Sequence, residues 1–133
     1  MAYRTIFVKG KDRVIFKEGV SAAALTPGWL IGGLPTALAV TSAAAAALPC
    51  IVCEDELQGK EISEAFAIGD NVRYGVCPAG TEVAALADGT GVTAGDEVEA
   101  KGDGTFSTLA AGVALGLALT TAGAGARFTL EVY

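Results

Sequence analysis

A turn signal recurs every seven to ten residues between positions 68 and 107, and this spacing constrains the fold more than any other feature of the chain. Glycine adopts positive φ angles at little steric cost and aspartate bonds to its own backbone, so such pairs favour tight turns. Segments rich in Val, Thr and Tyr lie between the turns. The pattern predicts an all-β fold, a small barrel or sandwich of short hairpins. The turn signals are Gly69-Asp70, Ala79-Gly80, Asp88-Gly89, Gly95-Asp96 and Gly102-Asp103-Gly104.

Residues 1–20 differ in composition from the rest of the chain, because they hold five of its nine basic residues. Two apolar segments, 6–8 and 14–16, flank a Lys-Gly-Lys-Asp turn. Two interpretations remain open: a hairpin of the domain itself, or an extended arm that adds a strand to the edge of a partner's sheet. The sequence therefore predicts an N-terminal arm or hairpin over 1–20 and a β-domain over 21–133.

The composition limits the classes of partner. A chain of 133 residues can bury a core as one domain, yet only 18% of its residues are charged and 18 are glycine. Such a bland surface is often covered in an assembly. The net charge of −6 argues against nucleic acid and favours a basic partner. The first residues lack the charged-then-apolar order of a signal peptide, so we expect synthesis in the cytoplasm.

Two uncharged segments, 20–53 and 104–126, are long enough to contain a membrane-spanning helix. Three prolines interrupt the first segment. In the second, large and small residues alternate over 113–119, which indicates a strand covered on both faces. We therefore predict no membrane span. The alternation at 127–133 predicts a final strand that buries Phe128, Leu130 and Val132.

The cysteines suggest a metal or redox site, because Cys50 and Cys53 form a CxxC motif. The segment 48–53 reads as a strand, however, and residues three apart in a strand point to opposite faces. A structural zinc ion needs four ligands, and only Cys77 remains in a chain without histidine. We expect no metal and no cofactor, with the cysteines acting as small apolar core residues.

Acidic residues cluster at 54–56, with Glu61 and Glu64 nearby, and they lead into a possible short helix at 62–66. Hydrolysis by two carboxylates needs a fixed separation and a cleft lined with aromatic residues. One Trp and three Tyr do not supply such a cleft. The sequence predicts a solvated loop and no catalytic residues, so the chain is not expected to be an enzyme.

Lys101 offers an alternative function. Biotinyl and lipoyl carrier domains present a modified lysine at a hairpin tip, and the segment 95–101 (GDEVEAK) is superficially similar. The flanking methionines of the biotinyl motif and the Asp-Lys-Ala of the lipoyl motif are absent. A second alternative is a carbohydrate-binding β-module, for which the sequence offers few aromatic residues.

Seven short segments follow one another in a distinctive order: 21–28 (SAAALTPG), 52–70 (VCEDELQGKEISEAFAIGD), 72–76 (VRYGV), 78–83 (PAGTEV), 86–90 (LADGT), 92–96 (VTAGD) and 102–105 (GDGT). In the order and spacing of these segments the chain resembles the head decoration, or capsid cement, proteins of tailed bacteriophages. The resemblance covers about residues 20–133 and departs from the family at 117–126, where an acidic residue is common.

The resemblance implies a compact β-domain that clusters, commonly as a homotrimer, over three-fold and quasi-three-fold positions of the expanded head. It implies a place on the outer surface of the virion, where the protein stabilises the shell against internal genome pressure. An N-terminal arm of such proteins pairs with the major capsid protein, and we expect deletion of residues 1–17 to leave the domain folded. The residues expected at the capsid are Tyr3, Arg4, Ile6, Phe7 and Val8, and those expected between subunits are Trp29 and Phe66.

Overall fold

A computed structural model describes residues 3, 5–33, 35–42 and 49–133, and it confirms the all-β prediction. Two antiparallel sheets face each other in a sandwich that, within these ranges, is not closed into a barrel. Two 3-10 turns, Lys11–Arg13 and Glu56–Gln58, are short. In chain order the strands are β1 (Phe7–Lys9), β2 (Ile15–Val20), β3 (Leu30–Gly32), β4 (Ala39–Val40), β5 (Cys50–Val52), β6 (Asn71–Val76), β7 (Glu82–Leu86), β8 (Glu97–Ala100), β9 (Phe106–Thr108), β10 (Gly116–Ala118) and β11 (Arg127–Val132).

The chain crosses between the sheets at two places. The six-stranded sheet has the order β1-β7-β11-β10-β8-β9, and the five-stranded sheet has the order β2-β6-β5-β3-β4. The first crossing is the 3-10 turn between β1 and β2, and the second is the turn 77–81 between β6 and β7. In that second turn Gly80 has φ +89°, as its place in a turn signal predicts. The strands of residues 7–20 therefore belong to both sheets, and the domain boundary at residue 20 stays a prediction.

The main core lies between the sheets and follows the period-two alternation of the strands. In β11 the side chains of Phe128, Leu130 and Val132 are buried, which confirms the predicted terminal strand. Leu30 and Ile51 face them from the five-stranded sheet. Full burial of such side chains contributes about 1.5–3 kcal/mol each, so this layer dominates the stability of the sandwich.

A second core covers the outer face of the five-stranded sheet. Alternate residues of β3, β5 and β6 point into it, and loop residues close it from outside. This sheet is consequently buried on both faces, and neighbouring residues Ile51 and Val52 of β5 are each about 1% exposed or less. The second core consists of Leu25, Ile31, Leu38, Val52, Phe66, Val72 and Tyr74.

Two local predictions were wrong. The segment 62–66 forms a turn and not a helix, because Phe66 exchanges two backbone hydrogen bonds with Leu25. In the segment 113–119 only β10 is a strand, and its buried residues are the small ones, Gly116 and Ala118. A Cβ at Gly116 would lie 2.5 Å from the carbonyl oxygen of Glu131, so a larger residue does not fit at this buried position. No helix in the described ranges is long and apolar enough to cross a membrane.

Candidate interaction surface

The segment 5–9 is bound to its own domain. Ile6 and Phe7 are 0% and 5% exposed and belong to the main core. The backbone N–H of Ile6 donates to the Glu54 carboxylate at 3.0 Å, and the N–H of Ala84 donates to the Ile6 carbonyl at 2.7 Å. β1 then pairs with β7, with Phe7 opposite Val83. These contacts leave the outer edge of β1 as the side that can meet a partner.

The other expected capsid contacts are distributed over the outside of the molecule. The Tyr3 hydroxyl forms a 2.8 Å hydrogen bond with the hydroxyl of Thr129, whose side chain lies on the outer face of the six-stranded sheet. Val8 is 39% exposed. Arg4 lies outside the described residues. Capsid contact by these residues stays a prediction, and Val8 is the apolar one that faces solvent.

Glu54 and Arg127 hold this region together. The Arg127 guanidinium donates to the Ala84 carbonyl at 3.1 Å and to the Ile62 carbonyl, so it ties the loop after β5 to the six-stranded sheet. Burial lowers the pKa of Arg127, and the Glu54 carboxylate opposes that shift. Asp55 is 5% exposed and accepts a hydrogen bond from the Gln58 side chain. These two acidic residues are structural, which corrects the prediction of a wholly solvated loop.

A group of cations surrounds Phe16 at the connection between the sheets. The Lys11 ammonium lies 5.9 Å from the centre of the Phe16 ring, and the Arg73 guanidinium carbon lies 4.4 Å from it. Both distances are within the range of cation–π attraction. Two further cations are exposed nearby: Arg13 ends the 3-10 turn, and Lys17 lies on the opposite face of β2 from Phe16. Among the side chains that the structure describes, none of these four cations has a carboxylate oxygen within 4.0 Å.

The strand beside this group is the edge of the five-stranded sheet. In an antiparallel pair, successive residues direct their backbone groups alternately toward the partner strand and away from it. The N–H and carbonyl of Val20 point away from β6, because they bond to Pro35 at 2.7 Å and Leu38 at 2.9 Å. By the same alternation the backbone groups of Phe16 and Glu18 point away from β6 into solvent. We call the four cations, Ile15 and this strand edge the basic edge; its residues are Lys11, Arg13, Ile15, Phe16, Lys17, Glu18 and Arg73.

In the six-stranded sheet, the edge strand farthest from β1 is β9, and the segment that follows β7 contacts it. The N–H of Asp88 donates to the carbonyl of Phe106 in the edge strand β9 at 2.9 Å. The Asp88 carboxylate also forms an ion pair with the Lys101 ammonium, and the two groups are 3.9 Å apart. Lys101, the residue of the carrier alternative, therefore has its ammonium beside a buried carboxylate in the loop between β8 and β9.

The two residues expected at subunit interfaces lie in different environments. Trp29 is partly buried against Gly104, where an added Cβ would lie 2.5 Å from the indole ring. Phe66 is 0% exposed in the second core. Trp29 therefore has some surface to offer a neighbour, whereas Phe66 has none in this chain. Both interface assignments stay predictions.

The cysteines do not converge on one site. Cys53 packs in the main core, whereas Cys50 packs against the second core, as the opposite faces of a strand require. Burial raises the pKa of Cys53 and of Cys77 from 9.0 to about 12 each, so both thiols stay protonated at neutral pH. Within the described ranges, groups of three or more His, Cys, Asp or Glu that could hold a metal ion are absent.

A small apolar cavity of about 180 Å³ opens at one end of the sandwich. Leu30, Ile51 and Phe106 form part of its wall, and the half-exposed Tyr133 stands at its margin. The Tyr133 hydroxyl donates to the Glu97 carboxylate at 2.8 Å. Its lining offers hydrophobic contact, without the paired polar groups that orient a substrate.

The molecule is thus a two-sheet antiparallel sandwich. Its basic edge has no backbone partner beyond Val20 among the residues that the structure describes. No protein-family model matches the chain, and no curated protein sequence matches it. Among solved structures, the fold matches the head fibre gp8.5 N base of bacteriophage phi29 with a TM-score of 0.66 and 15% sequence identity. The match covers 90% of this chain and 94% of that one. At this identity the similarity extends to the fold and no further.

Sequence analysis had identified the basic composition of residues 1–20 but not the basic edge itself. The sequence leaves open whether these cations lie on an arm or on a hairpin of the domain, because it does not show that β1 and β2 enter different sheets. Arg73 lies more than 50 positions away from Phe16 and joins the group only through the pairing of β2 with β6. The one signal in the sequence that points to this edge is the high density of cations within residues 1–20 of an otherwise acidic chain.

Proposed function

We propose that this protein is a non-enzymatic structural protein of a bacteriophage head, bound to the outer surface of the mature capsid. The observation that carries the proposal is the near full-length fold similarity to a phage head fibre base. The order of turn motifs, similar to that of head decoration proteins, supports the same role independently of the fold. The paucity of charged residues suits a protein whose faces are covered by neighbours.

The proposed role is to stabilise the shell by binding its mature form at three-fold and quasi-three-fold positions. A ligand that binds one state of an assembly stabilises it by RT ln(1 + [L]/Kd), and many copies on one shell add their contributions. A homotrimer would match the symmetry of those positions. Contact with the major capsid protein is assigned to Tyr3, Arg4, Ile6, Phe7 and Val8, with Val8 and the outer edge of β1 as the accessible part.

The decisive experiment is cosedimentation of the purified chain with mature heads that lack it and, separately, with unexpanded proheads. We expect saturable binding to mature heads alone, together with a higher temperature of genome release. Equal binding to both particles would refute selective stabilisation of the mature shell, and failure to bind either would refute the head-associated role. The carrier alternative has a separate readout, since a modified Lys101 would raise the intact mass.

The accessible part of the N-terminal segment is tested by Val8→Asp. This change places a charge on the outer edge of β1 and leaves the buried side chains of Ile6 and Phe7 intact. We expect weaker binding to mature heads with an unchanged unfolding temperature. Val113→Asp is the matched control, because Val113 is similarly exposed, at 44%, and lies at the margin of the apolar cavity, whose lining does not include residues of β1. An equal loss in both variants would contradict the assignment to β1.

A further inference from the structure

We propose that the basic edge binds an extended, acidic segment of the shell protein by strand addition to β2. The inference rests on the proposed function for the identity of the partner, and on the structure for the place and chemistry of the contact. It differs from the expected arm contact, because the binding strand is β2 of the five-stranded sheet and the segment stays folded on its own domain.

The backbone of β2 provides the directional part of the contact. The strand spans Ile15–Val20 and pairs with β6 over all six residues. Among the residues that the structure describes, those that cover the other side of β2 are 35–38, and they cover its Val20 end. The outward N–H and carbonyl groups of Phe16 and Glu18 are therefore available to another strand. Unpaired groups of this kind are what a peptide uses when it adds to a sheet.

The side chains set the chemistry of the occupant. Four cations, Lys11, Arg13, Lys17 and Arg73, accompany three carboxylates, which leaves one net positive charge in a chain of net charge −6. The carboxylates are Asp12, Glu18 and the buried Asp55, which lines the same depression as Glu18 and Arg73. A basic partner would be attracted to the rest of the surface and repelled here. An acidic segment gains by binding this edge, and the attraction also selects its orientation.

Phe16 holds two of the cations in place before a partner binds. Its ring meets the Phe7 ring edge to face at 5.4 Å, which fixes the ring between the two sheets. Lys11 and Arg73 then lie within cation–π distance of it. Because part of their side-chain entropy is already lost in the free protein, less is lost on binding.

Apolar contacts extend the site across the sheet. Ile15 is 61% exposed, and its cross-strand neighbour Val76 is partly exposed. The register continues this row through Cys50, Ile31 and Val40, so one line of apolar residues crosses all five strands. An added strand places a residue at the open end of the row, beside Ile15. The occupant is thus expected to present an apolar side chain next to Ile15 and acidic ones near Lys17 and Arg13.

Two substitutions separate the backbone and charge contributions. Glu18→Pro removes one outward N–H from β2, at a position where an edge strand tolerates proline. Lys17→Glu reverses one cation of the site. Lys60→Glu is the matched control for net charge, because Lys60 lies on the loop between β5 and β6 and outside the basic edge. Unfolding by urea verifies that each variant is folded before binding is measured.

Binding to mature heads is measured at low and high salt, with hydrogen exchange of residues 15–20 in the free and bound protein. We expect both variants to bind at least about tenfold more weakly, Lys60→Glu to bind within about twofold of the original, and the exchange of Phe16 and Glu18 to slow on binding. Added salt should weaken the original protein more than Lys17→Glu. Unchanged affinity in both variants with unchanged exchange would overturn the inference and leave the proposed function intact.

A second probe distinguishes failure of the proposed function. If the original protein does not bind heads, an eight-residue peptide of alternating Val-Val and Glu-Glu pairs replaces the shell. Each face of this peptide presents Val and Glu in succession, as Ile15 and Lys17 on one face of β2 require. The peptide with Lys in place of Glu is its control. Binding of the acidic peptide that Glu18→Pro abolishes supports strand addition at this edge without a shell. Absence of that binding, or equal binding of both peptides, overturns the inference. If the protein self-associates and Glu18→Pro abolishes that self-association, the partner at this edge is a second copy of the chain, and the inference of a shell partner is overturned.

Discussion

The rings of Phe7 and Phe16 meet edge to face, with centroids 5.4 Å apart and planes at 89°, although Phe7 lies in the six-stranded sheet and Phe16 in the five-stranded one. Such pairs contribute about 0.5–1.5 kcal/mol beyond the area they bury. This pair fastens the two sheets at their common edge. The space for it comes from Gly75, where an added Cβ would lie 2.5 Å from the Phe7 ring.

Gly75→Ala is therefore expected to destabilise the protein by about 1–3 kcal/mol, because the methyl group overpacks the site against Phe7 and Val14. Urea unfolding measures the change. Gly123→Ala is the control, since no atom lies within 4 Å of the Cβ added there. Equal effects at the two positions would contradict a role for close packing.

Trp29 packs closely against Gly104, and its fluorescence can report on that contact. Gly104→Ala adds a Cβ 2.5 Å from the indole ring, so we expect the ring to move toward solvent and its fluorescence to shift to longer wavelength. The free energy of unfolding should fall by about 1–3 kcal/mol. Gly95→Ala separates the causes: Gly95 has φ +95°, close to the +94° of Gly104, but no neighbour within 4 Å. A fluorescence shift of the same size in Gly95→Ala would attribute the effect to backbone strain.

Glu54→Gln tests the support of the N-terminal segment. The variant loses the charged acceptor of the Ile6 N–H and the carboxylate near Arg127, so we expect a loss of about 1–3 kcal/mol. Hydrogen exchange should accelerate in residues 6–9. The exposed Glu61 provides the comparison, and Glu61→Gln should leave both quantities unchanged. Unaltered exchange in Glu54→Gln would show that β1 is held by its pairing with β7 alone.

The buried cysteines predict how stability depends on pH above neutrality. Burial raises the pKa of Cys53 and Cys77 to about 12 in the folded protein, whereas an unfolded thiol ionises near its ordinary value of 9.0. Above pH 9 the unfolded chain therefore binds fewer protons, and stability falls by up to about 1.4 kcal/mol per pH unit for each thiol. We expect Cys53→Ala to reduce this slope between pH 9 and 11, measured by urea unfolding. A slope identical to that of the original protein would show that Cys53 titrates normally when folded.

Deletion of residues 1–17 is now expected to unfold the chain, in contrast to the outcome expected from sequence. It removes Ile6, Phe7 and Val14 from the main core, and each such loss costs about 2–5 kcal/mol. The sum is comparable to the whole stability of a typical domain. Circular dichroism checks the result. Deletion of residues 1–4 is the control and should leave a folded protein that lacks the Tyr3 contact with Thr129.

From the sequence, the positions of the strands can be predicted far better than the way the strands assemble into sheets. Turn signals and the alternation of Phe128, Leu130 and Val132 are local, so they could be interpreted without coordinates. The sandwich depends on the two crossings between sheets, and these have no local signature. Likewise Gly116 lies on the buried side of β10 because the backbone of Glu131 leaves no room for a larger residue, which alternation alone does not reveal. The basic edge is likewise not predictable from the sequence, because Arg73 lies beside Phe16 only when β2 pairs with β6.

The pairing of β1 with β7 has a consequence for how the protein folds. Phe7 lies opposite Val83, which comes 76 positions later in the chain. Closing so long a loop costs entropy before any contact compensates for it, and folds rich in such distant pairings form slowly. During synthesis the first strand emerges from the ribosome long before its partner exists. Ile6 and Phe7 must therefore stay unpaired until β7 has been made, so β1 waits longer for its neighbouring strand than any other strand of its sheet.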